Sequence, residues 1–460
     1  MHQGSVHTVR VWSASLRLVL LAVCLTQACT EPDAPRSPLF DLGVAVVRRE
    51  TALATLPGNP PEPLVSARLR GRYVNVGNGD VMELFVGESG LAVRRAGVAA
   101  APVRAEGEML VVWMPRGDEL EGEFLEQQGD GLLFRDALWR RDPGTRRPSP
   151  VVALNRVLGL YEPADHDGVP LRFYLLQWEG QLWVQINDLY MVSAESTAEA
   201  VKLADSRLGI ERVAWAEAGN PGAGLELGGV TLGRTFGVGQ GPVTRIDAFS
   251  SIEQLREEAM AASPPDEHRE FRVPDLVELI KLEAGIRLEI RYATSSNFVG
   301  IVFYQQPRAF LQRPAAEALA RVHRRLAEQG YGLLVYDAYR PWFVTKMFWD
   351  ATPEPWKHFV ADPANGSRHN RGCAVDLTLI DLVTGGPVEM MGGYDEFSER
   401  SYPFYPGGTD RQRWHRELLR RAMEGEGFAV YEYEWWHFDF HEWAEYPILD
   451  RSFDSLEDAE

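Results

Sequence analysis

Two stretches near the C-terminus decide how this sequence is read: Ser367-Arg-His369-Asn-Arg-Gly372-Cys-Ala-Val-Asp376 and Glu434-Trp-Trp-His437. Two imidazoles and one carboxylate suffice to hold Zn²⁺ and leave a fourth position for water. The metal pulls the pKa of that water toward neutrality, and a nearby unligated carboxylate takes its proton as it attacks a carbonyl. On this reading His369, Asp376 and His437 are ligands and Glu434 is the base. Positions seven or three apart point to opposite faces of an ideal strand. His369 is therefore expected in a loop before a strand that starts near Gly372 and carries Asp376, with Gly372 allowing the bend. Glu434 likewise needs a bend or bulge to share a side with His437. Each half alone is weak: a His near an Asp is more often an ordinary hydrogen-bonded pair, and Glu-x-x-His occurs often by chance. The order Glu-x-x-His is also not the helical His-Glu-x-x-His of zincins.

The surroundings alternate helix and strand. Pro314 to Glu328 reads as a helix with Pro in its first turn, Leu319, Val322 and Leu326 on one face, and Gly330 as its stop. Gly332 to Tyr336 reads as a buried strand, Arg411 to Glu424 as a helix with Trp414, Leu418 and Ala422 inward, and Phe428 to Phe440 as strand. His415 is expected on the solvated side of that second helix, and His441 is expected to be structural. Cys373, between two ligand positions, is expected to be a small buried thiol. Together these segments predict a compact α+β domain over residues 268–455.

From about Leu276 to Tyr446 the chain resembles the zinc D-alanyl-D-alanine dipeptidases of the VanX type, relatives of the peptidoglycan D,D-carboxypeptidases. The blocks that carry the resemblance occur in order. They are Arg291-Tyr-Ala-Thr294 with Asn297-Phe298 and Gly300, Gln329-Gly-Tyr-Gly-Leu-Leu334, Asp337-Ala-Tyr-Arg-Pro341, and the Ser367–Asp376 stretch. Asp376-Leu-Thr-Leu379, Met391-Gly, Tyr394-Asp395-Glu-Phe-Ser398 and Glu434-Trp-Trp-His437 complete the series. The resemblance implies one Zn²⁺ per catalytic domain on His369, Asp376 and His437, with Glu434 as catalytic base. It implies that Arg340 stabilises the transition state, which fits a guanidinium placed where an oxyanion develops. It also places Tyr292, Ser367, Asp395 and Trp435 around a dipeptide, Asp395 suiting the substrate ammonium and Ser367 a hydrogen bond. For Tyr292 and Trp435, ordinary core packing is nearly as strong an alternative as substrate contact.

Upstream, residues 66–142 and 151–250 show short β-like runs punctuated by Gly. A weak repeat links them: Gly71-Arg-Tyr73 with Gly159-Leu-Tyr161, Ser89-Gly90-Leu91 with Glu179-Gly180-Gln181-Leu182, and Gly131-Leu-Leu-Phe134 with Gly224-Leu-Glu-Leu227. A linker from Arg140 to Pro150 separates the copies. The expectation is a multidomain chain: two small antiparallel β modules, each barrel-like or a curved sheet, then the α+β zinc peptidase domain. A second break falls at Ala261–Glu267.

The N-terminus has basic residues Arg10 and Arg17, an apolar run Leu18–Leu25, and Leu25-Thr26-Gln27-Ala28-Cys29. This is the layout of a signal peptide, here residues 1–28. It resembles a bacterial lipoprotein signal, which implies lipidation at Cys29 and loss of Cys24 with the leader. Residues 29–65 are Pro-rich and read as a tether. Of the 3 Cys, Cys373 would then be the one free thiol, so no intrachain disulfide can form. The net charge of −19 over 460 residues opposes binding to a phosphate backbone, and nucleic acid is not an expected partner.

The expected protein is thus an exported, lipid-anchored zinc dipeptidase of the periplasm or outer membrane, acting on a small D,D-dipeptide or a peptidoglycan-derived substrate. Many relatives lack export signals, and an enzyme outside the inner membrane meets turnover products of the wall. The alternatives are therefore a D,D-carboxypeptidase trimming stem peptides, or a non-catalytic wall-binding lipoprotein.

Overall fold

Two of the Gly-punctuated stretches close on themselves. A computed structural model of the chain describes residues 56–459, except 79, 88–89, 96–97, 108, 117–118, 130, 143–146, 150–151, 164–170, 188–189, 205–209, 239–244 and 247–250. The signal peptide, Cys24, Cys29, most of the tether and Ser89 lie outside the described residues. Among the described residues no helix is long and apolar enough to cross a membrane. Two compact units divide the chain, Met1–Val238 with Pro406–Arg411, and Gly239–Tyr405 with Gln412–Glu460.

In the first unit a short helix α1 (Pro63–Leu69) leads into an eight-stranded antiparallel barrel, from β1 (Gly71–Asn75) to β8 (Ala137–Arg141). It closes where Tyr73, Val74 and Asn75 pair with Arg141, Arg140 and Trp139. A second eight-stranded barrel runs from β9 (Gly159–Pro163) to β16 (Val230–Phe236). Closure leaves no unpaired edge to recruit another chain. Barrels of this size are filled by their own inward side chains. Leu84, Val93, Val103, Val112 and Phe134 fill the first, and Phe173, Leu175, Val184, Val213 and Leu232 the second.

The repeat has a structural meaning. The Tyr73 hydroxyl donates to the Leu69 carbonyl at 2.7 Å, and the Tyr161 hydroxyl to the Val157 carbonyl at 2.8 Å. Each Tyr thus ties the first strand to the segment that enters its barrel. An Arg near the end of each barrel caps the same segment. Arg141 donates to the Arg68 carbonyl, and Arg234 to the carbonyls of Asn155, Arg156 and Leu158. Between the barrels lies Arg94, 2% exposed. It pairs with Glu83 opposite it on the neighbouring strand, donates to Gln185 Oε1 at 3.3 Å, and lies over the rings of Phe85 and Trp178.

The second unit begins with α2 (Ile252–Ala261), which the sequence leaves outside residues 268–455; its Leu255 and Ala259 nevertheless pack into the core of this unit. Strand β17 (Leu276–Glu278), a single turn α3 (Leu279–Leu282), β18 (Arg287–Leu288) and β19 (Phe310–Gln312) follow. Then come α4 (Arg313–Ala327), β20 (Tyr331–Asp337), α5 (Trp342–Ala351), β21 (Ala374–Asp381), α6 (Asp410–Glu424), β22 (Phe428–Tyr431) and β23 (Glu434–Phe440). One sheet has the order β18-β20-β21-β23-β22, with β18 parallel to β20 and the other neighbours antiparallel. Helix α4 matches its expected bounds closely and buries Leu319, Val322 and Leu326.

Three expectations need correction. The aromatic run Phe428–Phe440 is a hairpin of two strands that breaks at Glu432 and Tyr433. Helix α6 buries Gln412, Arg413, His415, Arg416, Leu419, Arg420 and Met423, while Trp414, Leu418 and Ala422 are only partly buried. The buried face is wider than that stripe, which itself packs against the core, because arginine stems serve as apolar surface once their charges are satisfied. Arg420 pairs with Glu417 and Glu424, and Arg416 donates to the Tyr405 carbonyl. His415, expected in solvent, is 2% exposed, with Nδ1 3.2 Å from the Glu389 carbonyl.

Candidate metal and catalytic centre

Strand register assembles the centre. Asp337 on β20 pairs with Asp376 on β21, and Asp376 pairs with His437 on β23. Three polar side chains thus form a row across β20, β21 and β23, strands whose other positions are almost entirely buried. His369 joins them from a 3-10 turn, His369–Arg371, that ends at Gly372 with φ +68° before β21 starts. That left-handed residue reverses the chain between the two ligand positions. On β23 the register jumps: Val430 pairs with Phe438 but Tyr431 with Glu434. The bulge brings Glu434 to the side of His437 that three-residue spacing on a flat strand would deny it.

The three ligand atoms converge. His437 Nδ1 is 3.0 Å from Asp376 Oδ1 and 3.1 Å from His369 Nε2, and His369 Nε2 is 3.4 Å from the same oxygen. The remaining ring nitrogens are engaged elsewhere, His369 Nδ1 with the Ala338 carbonyl at 2.6 Å and His437 Nε2 with Asp439 Oδ1 at 2.9 Å. A carbonyl accepts only, so His369 carries its proton on Nδ1 and offers a lone pair from Nε2. The second carboxylate oxygen of Asp376 accepts from the Tyr394 hydroxyl at 3.0 Å, while Oδ1 is buried without a hydrogen-bond donor. Lone pairs and one orphaned anionic oxygen facing a common point fit a cation. This is the metal-competent group found among the described residues. Cys373 is not part of it; burial pushes its thiol pKa up and keeps it a neutral packing group.

The electrostatics separate the carboxyls. Burial opposes ionisation of Asp376, but His369 and His437 outweigh it and hold that carboxyl well below the usual range. Burial also drives Glu434, which is pushed up to about 7 against the pull of His437. Its Oε2 lies 3.7 Å from His437 Nδ1. Burial raises Asp395 and Asp337 as well. Arg340 donates twice to Asp337 Oδ2 and reaches within 4.0 Å of Asp376 Oδ2. Its guanidinium lies over the rings of Tyr292 and Phe348, 5.3 and 4.6 Å from their centroids.

The sequence-derived residues fall into groups. His369, Asp376, His437, Glu434 and Arg340 come together. Tyr292 is buried and donates its hydroxyl to Asp395, whose backbone has φ +53°. Ser367 Oγ accepts from the backbone N–H of His369 at 3.2 Å, so its hydroxyl is engaged in shaping the ligand turn. Trp435 is a core residue packed edge-to-face on Trp436, with its indole Nε1 unpartnered. His441 lies at the surface, its Nδ1 3.1 Å from the Gly427 carbonyl. Sequence reasoning missed Asp337, Tyr394 and Asp439. The first two sit inside blocks already quoted, and Asp439 follows His437 by two residues, the spacing that shares a strand face.

Residues 272–456 match the sequence model of the D-ala-D-ala dipeptidase family, Peptidase_M15. A D-alanyl-D-alanine dipeptidase of Escherichia coli (strain K12) is 39% identical over 175 residues, 38% of this chain and 89% of that protein. One of Enterococcus faecium is 34% identical over 172 residues, 34% of this chain and 85% of that protein. One of Streptomyces coelicolor is 32% identical over 186 residues, 36% of this chain and 92% of that protein.

Proposed function

Through its C-terminal domain the chain belongs to the D-alanyl-D-alanine dipeptidase family of metallopeptidases, and we propose that it is a zinc-dependent, exported member built on an α+β domain. It hydrolyses D-alanyl-D-alanine to two D-alanines. The observation that carries the zinc reading is the buried convergence of His369 Nε2, His437 Nδ1 and Asp376 Oδ1 on one point.

Zn²⁺ held there would lower the pKa of a water toward neutrality and draw on the scissile carbonyl oxygen. Glu434, whose carboxyl is pushed up to about 7, takes a proton from the attacking water at Oε2 and gives it to the leaving amine. The C–O bond forms first and places negative charge on the carbonyl oxygen; the C–N bond then breaks as the amine takes the proton, and each product is a free amino acid. Arg340, aligned by Asp337, presents its guanidinium where negative charge develops. Asp395, with Tyr292 donating to it, supplies an anionic or hydrogen-bonding partner for the substrate ammonium.

Lipidation of Cys29, a periplasmic or outer-membrane location and a peptidoglycan-derived source of substrate complete the reading, with the signal and tether ahead of two β modules and the enzyme domain. The decisive assay is D-alanine release from D-Ala-D-Ala by the purified full chain and by Glu434→Ala. Abolished turnover in the variant with zinc still bound is expected. Faster release from a pentapeptide stem than from the dipeptide would favour the carboxypeptidase alternative, and unchanged turnover in the variant would remove Glu434 as base.

A further inference from the structure

The geometry points to a cross-brace, Arg368–Asp439, that fixes the ring orientation and tautomer of His437 and so sets the metal affinity of the centre; the inference rests on the metallopeptidase reading above. The two histidines come from different segments, a 3-10 turn and β23, and each must keep one nitrogen aimed at the common point. For His369 the outer nitrogen is held by a backbone carbonyl, that of Ala338. His437 has no such backbone partner; its Nε2 is held by the Asp439 carboxylate at 2.9 Å.

Asp439 is itself positioned. Its other oxygen pairs with Arg368 Nη1 at 3.0 Å, and Arg368 immediately precedes His369. The Arg368 guanidinium lies over Trp443 at 4.9 Å and Tyr431 at 5.9 Å, while its backbone carbonyl accepts from the N–H of Cys373. One ion pair therefore ties the turn carrying His369 to the residue orienting His437. Asp439 accepts the Nε2 proton, leaving the Nδ1 lone pair for the metal, and its charge makes the imidazole a stronger donor.

Outer partners of this kind typically change metal affinity by about 10–100-fold. Zinc dissociation constants are to be measured by chelator competition on the full chain, beside thermal unfolding of the metal-free protein. Asp439→Ala is expected to weaken zinc by about 10–100-fold. Asp439→Asn, which keeps an acceptor but no charge, and Arg368→Ala are expected to show smaller losses in the same direction. A purely structural role would lower the unfolding temperature of the metal-free protein and leave zinc affinity within twofold of wild type in all three, and that result overturns the inference. Wild-type protein that binds no zinc would instead overturn the metallopeptidase reading itself.

Discussion

Arg340 donates from both Nε and Nη2 to one oxygen of Asp337, at 2.9 and 2.8 Å, while the other oxygen accepts the Tyr304 hydroxyl at 2.8 Å. Both charged groups are buried. A guanidinium clamped this way is oriented before substrate arrives, and only a planar fork can use both contacts. Arg340→Lys keeps the charge and loses the fork. It is expected to lower kcat by about 10²–10³-fold, the scale of a lost oxyanion donor. Asp337→Ala removes the near partner of a buried cation, leaving it only Asp376 at 4.0 Å, and is expected to cost about 3–5 kcal/mol of stability. Steady-state kinetics on the first and denaturant unfolding of the second check the pair.

The Glu434 carboxyl, pushed up to about 7 by burial from an ordinary 4.5, yields a pH prediction with a definite sign. The folded metal-free protein holds this proton more tightly than the unfolded chain does. The stabilisation is fully present below 4.5 and is lost as pH rises through about 7. Unfolding temperatures of metal-free wild type should therefore fall across that window relative to Glu434→Gln. A neighbouring cation favours the ionised carboxylate. The acid limb of kcat/KM for zinc-loaded enzyme should accordingly lie below 7, with activity lost as pH falls through it. An acid limb above 7 would remove Glu434 as the ionised base.

What was legible in the sequence was local chemistry; what was not was long-range pairing. Residue type and spacing made His369, Asp376, Glu434 and His437 candidates, weak as separate pairs and singled out by the family resemblance, and the same spacing required a bend at Gly372 and a bend or bulge between Glu434 and His437. Barrel closure could not, because Tyr73 meets Arg141 across the whole of the first barrel and no short window encodes that pairing. The inner face of α6 extends beyond the stripe of Trp414, Leu418 and Ala422, which does pack against the core, because arginines score as surface until partners such as Glu417 and Glu424 are known. The Asp337–Arg340 clamp lay in view within one quoted block. Its meaning needed the side-chain geometry.

Gly372 sits at φ +68°, and a Cβ there would press against a Leu276 methyl. The left-handed conformation alone costs a non-glycine residue about 1–2 kcal/mol. Gly372→Ala should lower stability by at least that much. Because the turn sets His369 against Asp376, it should weaken zinc as well. Gly330→Ala, also at positive φ but with nothing near its Cβ, is the control that carries the backbone penalty and spares the metal.

Cys373 is fully buried and its thiol pKa is raised by that burial. Thiolate is the reactive form. The folded protein should leave this thiol unmodified by a disulfide reagent at neutral pH, with one equivalent titrated on unfolding of protein produced without residues 1–29. Cys373→Ala should retain zinc affinity and turnover, since the thiol lies outside the metal group.

The last prediction concerns the barrels. Arg94 is 2% exposed, and the Glu83 side chain it pairs with at 2.6 Å is 16% exposed. The pair is directly cross-strand in the first barrel, while Gln185 and the Trp178 ring contact the same guanidinium from the second. Removing one partner of a buried ion pair strands the other, at a cost of about 3–5 kcal/mol. Replacing both by uncharged groups of similar shape removes that penalty. Arg94→Met alone should therefore be clearly destabilising, whereas Arg94→Met with Glu83→Gln should recover most of the loss. The difference from additivity in denaturant unfolding measures the coupling. Simple additivity of the two substitutions would mean that Arg94 contributes through packing on Phe85 and Trp178, with the ion pair adding nothing.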